Sequence, residues 1–393
     1  MIRKTPEKKA VLTRDLRRAI KRGHPFIFAD AVRLPPDLQP GDRVIVEHDR
    51  RFVCRGYADP TGPLAIRVLS LDPKEPLETT LSTRLDRALS LRETLFTTED
   101  TTGYRLVNGE GDLLPGLVVD RYGDVLVLKA DGPIAEQFWD LPAIARRLAR
   151  LPFVRAIHQR SRSRGGAVGQ TLLGEITGPT AFLEHGAHFR ADVREGQKTG
   201  FFLDQREHRL ALGRLAKNRK VINAFGYTGG FSVQCGRFGA SHVTTLDIAG
   251  PAIAEATANW RANGLPDERH TGITADTFDH LGACHERGER FDLVILDPPA
   301  FAPSRKDLDK ALAAYRALAE LGAKVTAPGG LLFLASCSAH ITKDELLSSL
   351  EEGLSKARKN GRVLGLGGQP PDHPWPLVCP ELAYLKTALV ALD

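Results

Sequence analysis

A chain of 393 residues is expected to form two or three domains, and its 42% of apolar residues is ample for buried cores. No run of about eighteen apolar residues occurs and the charged N-terminus lacks an apolar signal core, which excludes a membrane-spanning helix and argues against secretion. The five cysteines are odd in number and form no CxxC pair, so we expect a reducing cytoplasm, no disulfide framework and no metal site.

The net charge of +6 is concentrated at the N-terminus. Residues 1–30 contain nine Lys or Arg and three acidic residues, so this segment carries the whole net charge and the rest of the chain is balanced. A basic segment beside a neutral body favours an electrostatic contact with nucleic acid. A solvated, partly frayed terminus is the alternative.

Residues 1–75 are predicted to form a small β-rich unit. The segment 13–22 suits a short helix, and strands are expected at Arg43–Glu47, Phe52–Tyr57 and Leu64–Leu69. Gly-Asp, Asp-Pro and Gly-Pro pairs between these strands are typical of turns. Short strands with such turns favour a compact barrel or a curled sheet.

Three strings in this unit, GDRVIV, RGYADP and AIRVLS, follow the basic segment KRGHPFIF and together resemble a PUA domain, a common RNA-binding module. The resemblance implies that residues 1–75 are a PUA-like RNA-binding domain. Phe26 and Phe28 could stack on bases there. Burial in the core is the commoner fate of a phenylalanine, so the sequence leaves both roles open.

Residues 76–190 are predicted to form a middle α/β domain. Helices are expected at Leu81–Arg92 and over most of Ile134–Leu151. The expected strands are Tyr104–Val107, Leu117–Val119, Val125–Lys129 and Val154–His158. Four arginines near the end of this domain could bind phosphate, with an ordinary solvated loop as the alternative. They are Arg155, Arg160, Arg162 and Arg164.

Residues 191–393 alternate between strand and helix patterns. The expected strands are Val221–Ala224, His242–Asp247, Gly272–Ala275, Leu293–Asp297, Gly330–Ala335 and Tyr384–Leu392. Helices fit between them, for example at Ile253–Asn263, Leu308–Lys324 and Lys343–Lys359. Strands separated by helices predict an α/β fold with a mainly parallel sheet and helices on both faces.

The string VINAFGYTGG at 221–230 predicts a buried strand, a tight glycine turn and the start of a helix. Glycine allows close approach of the backbone to a ligand and positive φ angles. The N–H groups at the start of the next helix can bind a polar or anionic group. This arrangement is typical of a nucleotide-type cofactor site, although such a turn is also common without a ligand.

Two acidic residues follow the next strands of the predicted sheet. Asp247 ends one strand about twenty residues after the glycine turn and suits a ribose diol. Asp276 ends the following strand and could accept from an adenine amino group. Each acid could instead be a helix cap or a solvated loop residue. Together they favour an adenosine-bearing cofactor, either NAD, whose GxGxxG pattern is not met here, or S-adenosylmethionine.

Two further candidate site residues, Asp297 and Cys337, follow the next two strands of the predicted sheet. Asp297 begins the string DPPAF, which resembles the catalytic motif of class I methyltransferases that act on nucleic-acid bases. Cys337, within SCS at the end of the next strand, is expected to face the same cleft, with an inert buried cysteine as the alternative. Methylation of cytosine C5 needs a thiolate, because addition to C6 makes C5 enamine-like. Asp297 would then hold the N3 edge of the base.

The strings GQKTGFFLDQR at 196–206, NAFGYTGGFS, DPPAF and SCS occur in this order, and with RLVNGEGDLLPGLVVDRYGD in the middle domain they span the chain. They resemble the large-subunit ribosomal RNA (cytosine-C5) methyltransferases of the RlmI type. The resemblance implies a PUA domain, a middle α/β domain, and a Rossmann-like class I methyltransferase domain at 191–393. It further implies Cys337 as the nucleophile and S-adenosylmethionine bound near the following residues: Gln205, Arg206, Phe225, Gly226, Tyr227, Thr228, Gly229, Gly230, Asp247, Asp276 and Asp297.

Three positions depart from related patterns. Many class I methyltransferases have glycines where Phe225 and Tyr227 stand, and many RNA cytosine-C5 enzymes have a second cysteine where Ala300 stands.

From the resemblance we expect a cytoplasmic enzyme that forms 5-methylcytidine in 23S ribosomal RNA, with no membrane partner and with a homodimer as one option. The alternatives are an RNA purine N-methyltransferase and a non-catalytic RNA-binding factor in ribosome assembly.

Overall fold

The structure is a computed structural model that describes residues 1–97, 99–161, 169–302 and 304–393. The chain divides into two compact units. The first unit comprises Met1–Leu183, Ala191–Leu203 and Pro371–Leu382, and the second comprises Glu184–Arg190, Asp204–Pro370 and Ala383–Asp393. The division into three domains at 1–75, 76–190 and 191–393 stays a prediction.

The N-terminal part of the first unit is a six-stranded sheet in the order β2-β6-β5-β4-β1-β3. Its strands are β1 Lys8–Leu12, β2 Phe26–Phe28, β3 Val32–Arg33, β4 Arg43–His48, β5 Arg51–Ala58 and β6 Leu64–Ser70. The three predicted strands are present, and the helix expected over 13–22 is shorter, with α1 at Arg17–Lys21. Alternation along β4 buries Val44 and Val46 in the core of this sheet.

The rest of the first unit contains a five-stranded sheet in the order β11-β10-β9-β8-β7. Its elements are α2 Leu77–Leu95, β7 Gly103–Asn108, β8 Leu117–Tyr122, β9 Val125–Ala130, α3 Pro133–Phe138, α4 Leu141–Leu148, β10 Ala156–Arg160 and β11 Gln170–Leu173. The helix expected over Ile134–Leu151 is two helices, because Trp139 is extended and the Asp140 carboxylate caps α4 by accepting from Ala143 N at 2.9 Å. Two further strands follow along the chain, β12 Thr180–Glu184 and β13 Ala187–Ala191.

The second unit is built on a seven-stranded sheet in the order β16-β15-β14-β17-β18-β20-β19. Its strands are β14 Lys220–Ala224, β15 His242–Asp247, β16 His270–Thr274, β17 Phe291–Leu296, β18 Thr326–Ser336, β19 Gly361–Gly367 and β20 Lys386–Leu392. Its helices are α5 Arg206–Arg214, α6 Gly230–Arg237, α7 Gly250–Ala262, α8 Thr277–Glu286, α9 Leu308–Val325 and α10 Lys343–Lys356. The strands β14 to β18 are parallel, as predicted, whereas β20 pairs antiparallel with both β18 and the unpredicted β19.

Both faces of this sheet are covered, so its central strands are apolar on both sides. In β17, Val294 and Leu296 pack in one core with α9 and α10, while Leu293 and Ile295 pack in another with Phe231 of α6. This alternation explains why the sequence shows continuous apolar runs at these strands. None of the helices in the described ranges is long and apolar enough to cross a membrane.

Candidate cofactor and active site

Four of the predicted site segments begin at one edge of the second unit's sheet. Ala224 at the end of β14 lies opposite Leu246 of β15 and Leu296 of β17, and Leu296 lies opposite Leu334 of β18. The strands are parallel, so the turn at 225–230, Asp247, Asp297 and Cys337 all follow carboxyl ends at this edge. Open α/β sheets bind their ligands at such an edge.

The turn after β14 has two non-glycine residues in the left-handed region. Phe225 has a φ of 57°, Tyr227 a φ of 44° and Gly229 a φ of 80°. The first two are the positions where many class I methyltransferases have glycine, and their backbone geometry gives the reason. Gly226 is needed for a different reason, because a Cβ there would lie 2.6 Å from Thr245 Cγ2. The turn is therefore pressed closely against β15.

Asp247 attaches the turn to the end of β15. Its Oδ2 accepts from Tyr227 N and its Oδ1 from Ala249 N, both at 2.9 Å. The carboxylate is half-buried, and each of its oxygens has a second lone pair. It can therefore accept two ribose hydroxyls while it keeps the turn in place.

Asp276 lies two residues beyond the end of β16 and is the N-cap of α8. Its Oδ1 accepts from Phe278 N at 2.8 Å and from Asp279 N at 3.1 Å. The helix-cap alternative from the sequence thus describes its local structure. Its Oδ2 accepts no hydrogen bond from any described residue, so a cap and a contact with an adenine amino group are compatible.

The glycine turn fits a nucleoside-bearing cofactor. The Thr228 hydroxyl is buried and has no hydrogen-bond partner among the described residues, while the Thr228 carbonyl accepts from Asn259 Nδ2 at 2.9 Å. The first N–H groups of α6 receive no side-chain cap from Gly229. A buried hydroxyl and uncapped N–H groups beside the Asp247 carboxylate match the polar groups of an adenosine-bearing ligand.

Gln205 and Arg206 are placed outside the glycine turn. Gln205 is buried and its Nε2 donates to Asp297 Oδ1 at 2.8 Å, so it orients that carboxylate. Arg206, the first residue of α5, is fully buried and its Nε donates to Glu207 Oε1 at 3.1 Å. The structure therefore joins Gln205 to the catalytic motif directly.

The bond to Asp297 is the last in a chain of hydrogen bonds that the sequence did not reveal. Gln205 Oε1 lies 2.7 Å from His208 Nδ1, and His208 Nε2 lies 3.2 Å from Thr387 Oγ1. Burial lowers the pKa of His208 to about 4, so its imidazole is neutral near pH 7 and has one donor and one acceptor. Since Gln205 uses its amide N–H groups on Asp297, His208 Nδ1–H donates to Gln205 and Nε2 accepts from Thr387.

The segment after Asp297 is held by an aromatic cluster. Pro298 is buried, whereas Pro299 and Ala300 are exposed. The Phe301 ring centroid lies 5.0 Å from that of Tyr315 on α9, and 6.4 Å from those of Phe225 and Phe278. Phe301, the aromatic residue of the DPPAF string, is thus packed between the glycine turn and two helices.

Cys337 differs from the other four cysteines, which are buried, because it is half-buried. It lies near Asp297 and the phenol of Tyr315. Burial, with a smaller contribution from the charges of Cys337 and Asp297, raises the pKa of Tyr315 to about 12. The two predicted catalytic groups therefore share one electrostatic environment, next to a phenol that stays protonated at neutral pH.

Comparisons with known proteins assign the family. The model of the S-adenosylmethionine-dependent methyltransferases matches residues 124–379, and that of a PUA-like domain matches residues 11–71. The chain belongs to the S-adenosylmethionine-dependent methyltransferases. A ribosomal RNA large subunit methyltransferase from Deinococcus radiodurans is 39% identical, over 95% of each chain. Ribosomal RNA large subunit methyltransferase I from Shewanella denitrificans is 33% identical, over 94% of this chain and 95% of its own.

Solved structures show the same fold along the whole methyltransferase. A Streptococcus mutans protein assigned to the S-adenosylmethionine-dependent methyltransferases has a TM-score of 0.84 at 24% identity, over 98% of this chain and 99% of its own. A second structure, complexed with SAH, has a TM-score of 0.85 at 24% identity. These structures confirm the predicted fold class, and the family model confirms the enzyme class and the S-adenosylmethionine cofactor.

The residues considered for RNA contact in the methyltransferase have different environments. Phe26 is buried, as expected for a core residue, whereas Phe28 is 45% exposed. Arg155 Nε donates to Asp124 Oδ2 at 2.6 Å, and the Arg160 guanidinium donates to the Arg194 carbonyl at 2.6 Å. These two arginines are thus engaged within the first unit. Arg162 and Arg164 lie outside the described residues.

One group of metal-ligating side chains occurs in the described part of the methyltransferase. Ligand atoms of His24, Cys379 and Glu381, all in the first unit, lie within 4.8 Å of one another. Burial, together with a hydrogen bond to Glu381, raises the pKa of Cys379 to about 12, so this thiol is protonated at neutral pH. That hydrogen bond accounts for the closeness of the two side chains, and the expected absence of a metal stays a prediction.

Proposed function

We propose that this methyltransferase forms 5-methylcytidine in large-subunit (23S) ribosomal RNA by covalent catalysis from Cys337. The observation that carries the proposal is the half-buried Cys337 beside Asp297, at the sheet edge that also presents the glycine turn. The substrate class is supported by relatives named ribosomal RNA large subunit methyltransferase I, which are similar over nearly the whole chain.

The proposed reaction begins at Cys337. Its thiolate Sγ adds to C6 of the target cytosine, which breaks the C5–C6 double bond and makes C5 nucleophilic. When bound, S-adenosylmethionine supplies the electrophilic methyl group that C5 takes up. Loss of the C5 proton to a base and departure of Sγ from C6 then restore the aromatic ring and the free cysteine.

Asp297 is proposed to hold the N3 edge of the base. Addition at C6 moves electron density toward N3, which takes up a proton from solvent, donates it in a hydrogen bond to the carboxylate, and returns it to solvent when Sγ leaves C6. The bond from Gln205 Nε2 to Asp297 Oδ1 limits rotation of this carboxylate.

The cofactor is proposed to lie along the glycine turn. Asp247 would accept the ribose hydroxyls, Asp276 would accept from the adenine amino group, and the N-terminus of α6 would face the polar tail. The remaining proposed contacts come from the turn itself and from the segment before α5: Gln205, Arg206, Phe225, Gly226, Tyr227, Thr228, Gly229 and Gly230. Asp297 is proposed to serve the cofactor and the base together.

RNA is proposed to be positioned by the PUA-like domain and the middle domain, through shape and phosphate contacts. The exposed ring of Phe28 supports base stacking, and the basic N-terminal segment supports phosphate contact. The target base would leave its stack to reach the site. A cytoplasmic location stays a prediction, as does the homodimer, which light scattering would test.

Nucleoside mass spectrometry tests the proposal. Unmodified large-subunit ribosomal RNA is incubated with S-adenosylmethionine and the wild type, Cys337→Ala or Cys284→Ala, the last being a control at the far end of α8. We expect new 5-methylcytidine with the wild type and the control, and none with Cys337→Ala. A methylated purine, or 5-methylcytidine undiminished in Cys337→Ala, would contradict the proposal. Absence of any product on RNA and on subunits would favour the binding-only alternative.

A further inference from the structure

Lys386 of β20 lies directly beside the segment that contains Cys337. In the pairing of β18 with β20, Lys386 is the register partner of Ser336. Its side chain is buried, and its Nζ donates to the carbonyl of Ser338 at 2.6 Å and to that of Tyr384 at 2.9 Å. The ammonium group is therefore held between the carbonyl of the residue after Cys337 and a carbonyl just before β20.

In the part of the chain that the structure describes, this buried ammonium has no carboxylate counter-ion. Among the described residues, no carboxylate forms an ion pair with Lys386, although the charge of Glu345 on α10 is near enough to influence it. The Glu345 Oε2 accepts from the Thr342 N and Oγ1 at the start of α10, so this acid is committed to a capping box. An unpaired buried lysine is costly, so its position requires an explanation.

The electrostatic partner of Lys386 is Cys337. Burial lowers the pKa of Lys386, and a negative charge at Cys337 opposes that effect by favouring the ammonium form. The interaction is mutual, because a charge pair stabilises both of its ionised members. Cations beside a cysteine are what lower thiol pKa values at reactive cysteines.

The carboxylates near this pair would oppose thiolate formation. Asp297 at the end of β17 is an acid near Cys337, and Tyr315 on α9 interacts with both. Glu345 on α10 adds a further negative charge near Lys386. Lys386 is thus the cation that can offset these carboxylates at the nucleophile.

We propose that Lys386 is a positioning residue that keeps a positive charge beside Cys337 and thereby stabilises its reactive thiolate. The proposal deepens the proposed function and rests on it in one respect, that Cys337 is the nucleophile. In the covalent step, Lys386 gives up no proton and forms no bond to the base. Its role is to raise the fraction of Cys337 that is ionised before the base arrives.

The test measures Cys337 alone, without RNA. The full-length protein is treated with iodoacetamide between pH 6 and 10, and modification of the Cys337 peptide is followed by mass spectrometry. Lys386→Gln keeps a donor for the Ser338 and Tyr384 carbonyls but removes the charge, whereas Lys386→Arg keeps the charge. Lys359→Gln is the matched control, because Lys359 donates in the same way to the carbonyl of Thr326 at the opposite end of β18.

We expect the pH profile of Lys386→Gln to move upward by about one unit, with an about tenfold slower modification at pH 7. Lys386→Arg and Lys359→Gln should retain the wild-type profile. Equal profiles for the wild type and Lys386→Gln would overturn the proposal, as would an equal shift in Lys359→Gln. S-adenosylmethionine affinity, measured by calorimetry, shows whether each variant is folded. If Lys386→Gln is not folded, the proposal is tested with Lys386→Arg, which should retain the wild-type profile.

Failure of this inference is distinguishable from failure of the proposed function. An unshifted profile in an enzyme that makes 5-methylcytidine would remove only the role of Lys386. A shifted profile in an enzyme that makes a methylated purine would retain the coupling of the two side chains and remove the covalent role of Cys337.

Discussion

Buried charged side chains have different kinds of partner in the two units of the methyltransferase. In the first unit, the fully buried Arg92 donates to both carboxylate oxygens of Asp112, at 2.7 and 2.8 Å, and to the carbonyl of Asp372 at 2.8 Å. In the second unit, the buried Lys386 meets two carbonyls and no carboxylate within the described ranges. The charge of Arg92 is neutralised by the carboxylate of Asp112, whereas no carboxylate of the described residues neutralises the charge of Lys386 at the sheet edge.

The carboxylates differ in the same way. Asp120 in the first unit receives Arg105 Nε at 2.5 Å and the Thr199 hydroxyl at 2.6 Å. Asp297 in the second unit receives the neutral amide of Gln205. Removal of the cation from a buried ion pair leaves a carboxylate that is costly to bury, whereas the amide of Gln205 orients the Asp297 carboxylate at the sheet edge. The comparison therefore separates structural from functional polar groups, and four predictions test it.

The largest expected effect is on stability, at Arg92. Arg92→Met leaves the carboxylate of Asp112 buried without its cation, so we expect the free energy of unfolding to fall by about 3–5 kcal/mol. The double variant Arg92→Met/Asp112→Leu removes both charges and should recover part of this loss. Denaturant unfolding measures both. Methyl transfer per folded molecule should stay unchanged. Loss of methyl transfer without a change in stability would contradict the assignment of Arg92 to the structural polar groups.

Asp297→Asn should lower the rate of methyl transfer and leave the stability nearly unchanged, the opposite of the result expected for Arg92→Met. The amide keeps the shape of the side chain but removes the negative charge that N3 of the base would meet, so we expect the rate of methyl transfer to fall about 100-fold. The free energy of unfolding should change by less than about 1 kcal/mol. Initial rates with saturating S-adenosylmethionine and denaturant unfolding provide the two readouts. A purely destabilised variant with a normal rate would place Asp297 with the structural carboxylates.

His208 should have a smaller effect on the rate, because it acts through Gln205. His208→Phe keeps a ring against Phe333 but removes the donor to Gln205, and we expect kcat to fall about tenfold with little change in KM. His208→Asn places an amide donor near the position of Nδ1 and should restore most of the rate. Equal rates for the Phe and Asn variants would show that the ring only fills space.

The pH dependence of stability should reveal the same histidine. Burial lowers the folded-state pKa of His208 to about 4, below the value of about 6.5 in an unfolded chain, so the unfolded state binds a proton first as the pH falls. Its contribution to stability is present above about pH 6.5 and is lost between there and pH 4. Denaturant unfolding across this window should show a shallower decline for His208→Phe. His270 has a similarly lowered pKa, so some decline should remain.

Much of the candidate site was predictable because its signals are local. The turn at 221–230, the acid after β15 and the DPPAF string each follow an apolar run, and parallel strands bring their carboxyl ends to one edge. Cys337 was predicted to lie at this edge in the same way, because it too follows an apolar run. Even the departure from glycine at Phe225 and Tyr227 was visible in the sequence, although only the φ angles explain it.

The sequence by itself determined the α/β alternation, the order of the motifs and the residue types at each strand end, because apolar periodicity and turn chemistry are properties of neighbouring residues. Only the tertiary structure decided which distant residues support that chemistry. Lys386 reaches the carbonyl of Ser338 across 48 positions, and Thr387 reaches His208 across 179. Such pairs depend on the register of β20 and on the placement of α5, which no local pattern specifies.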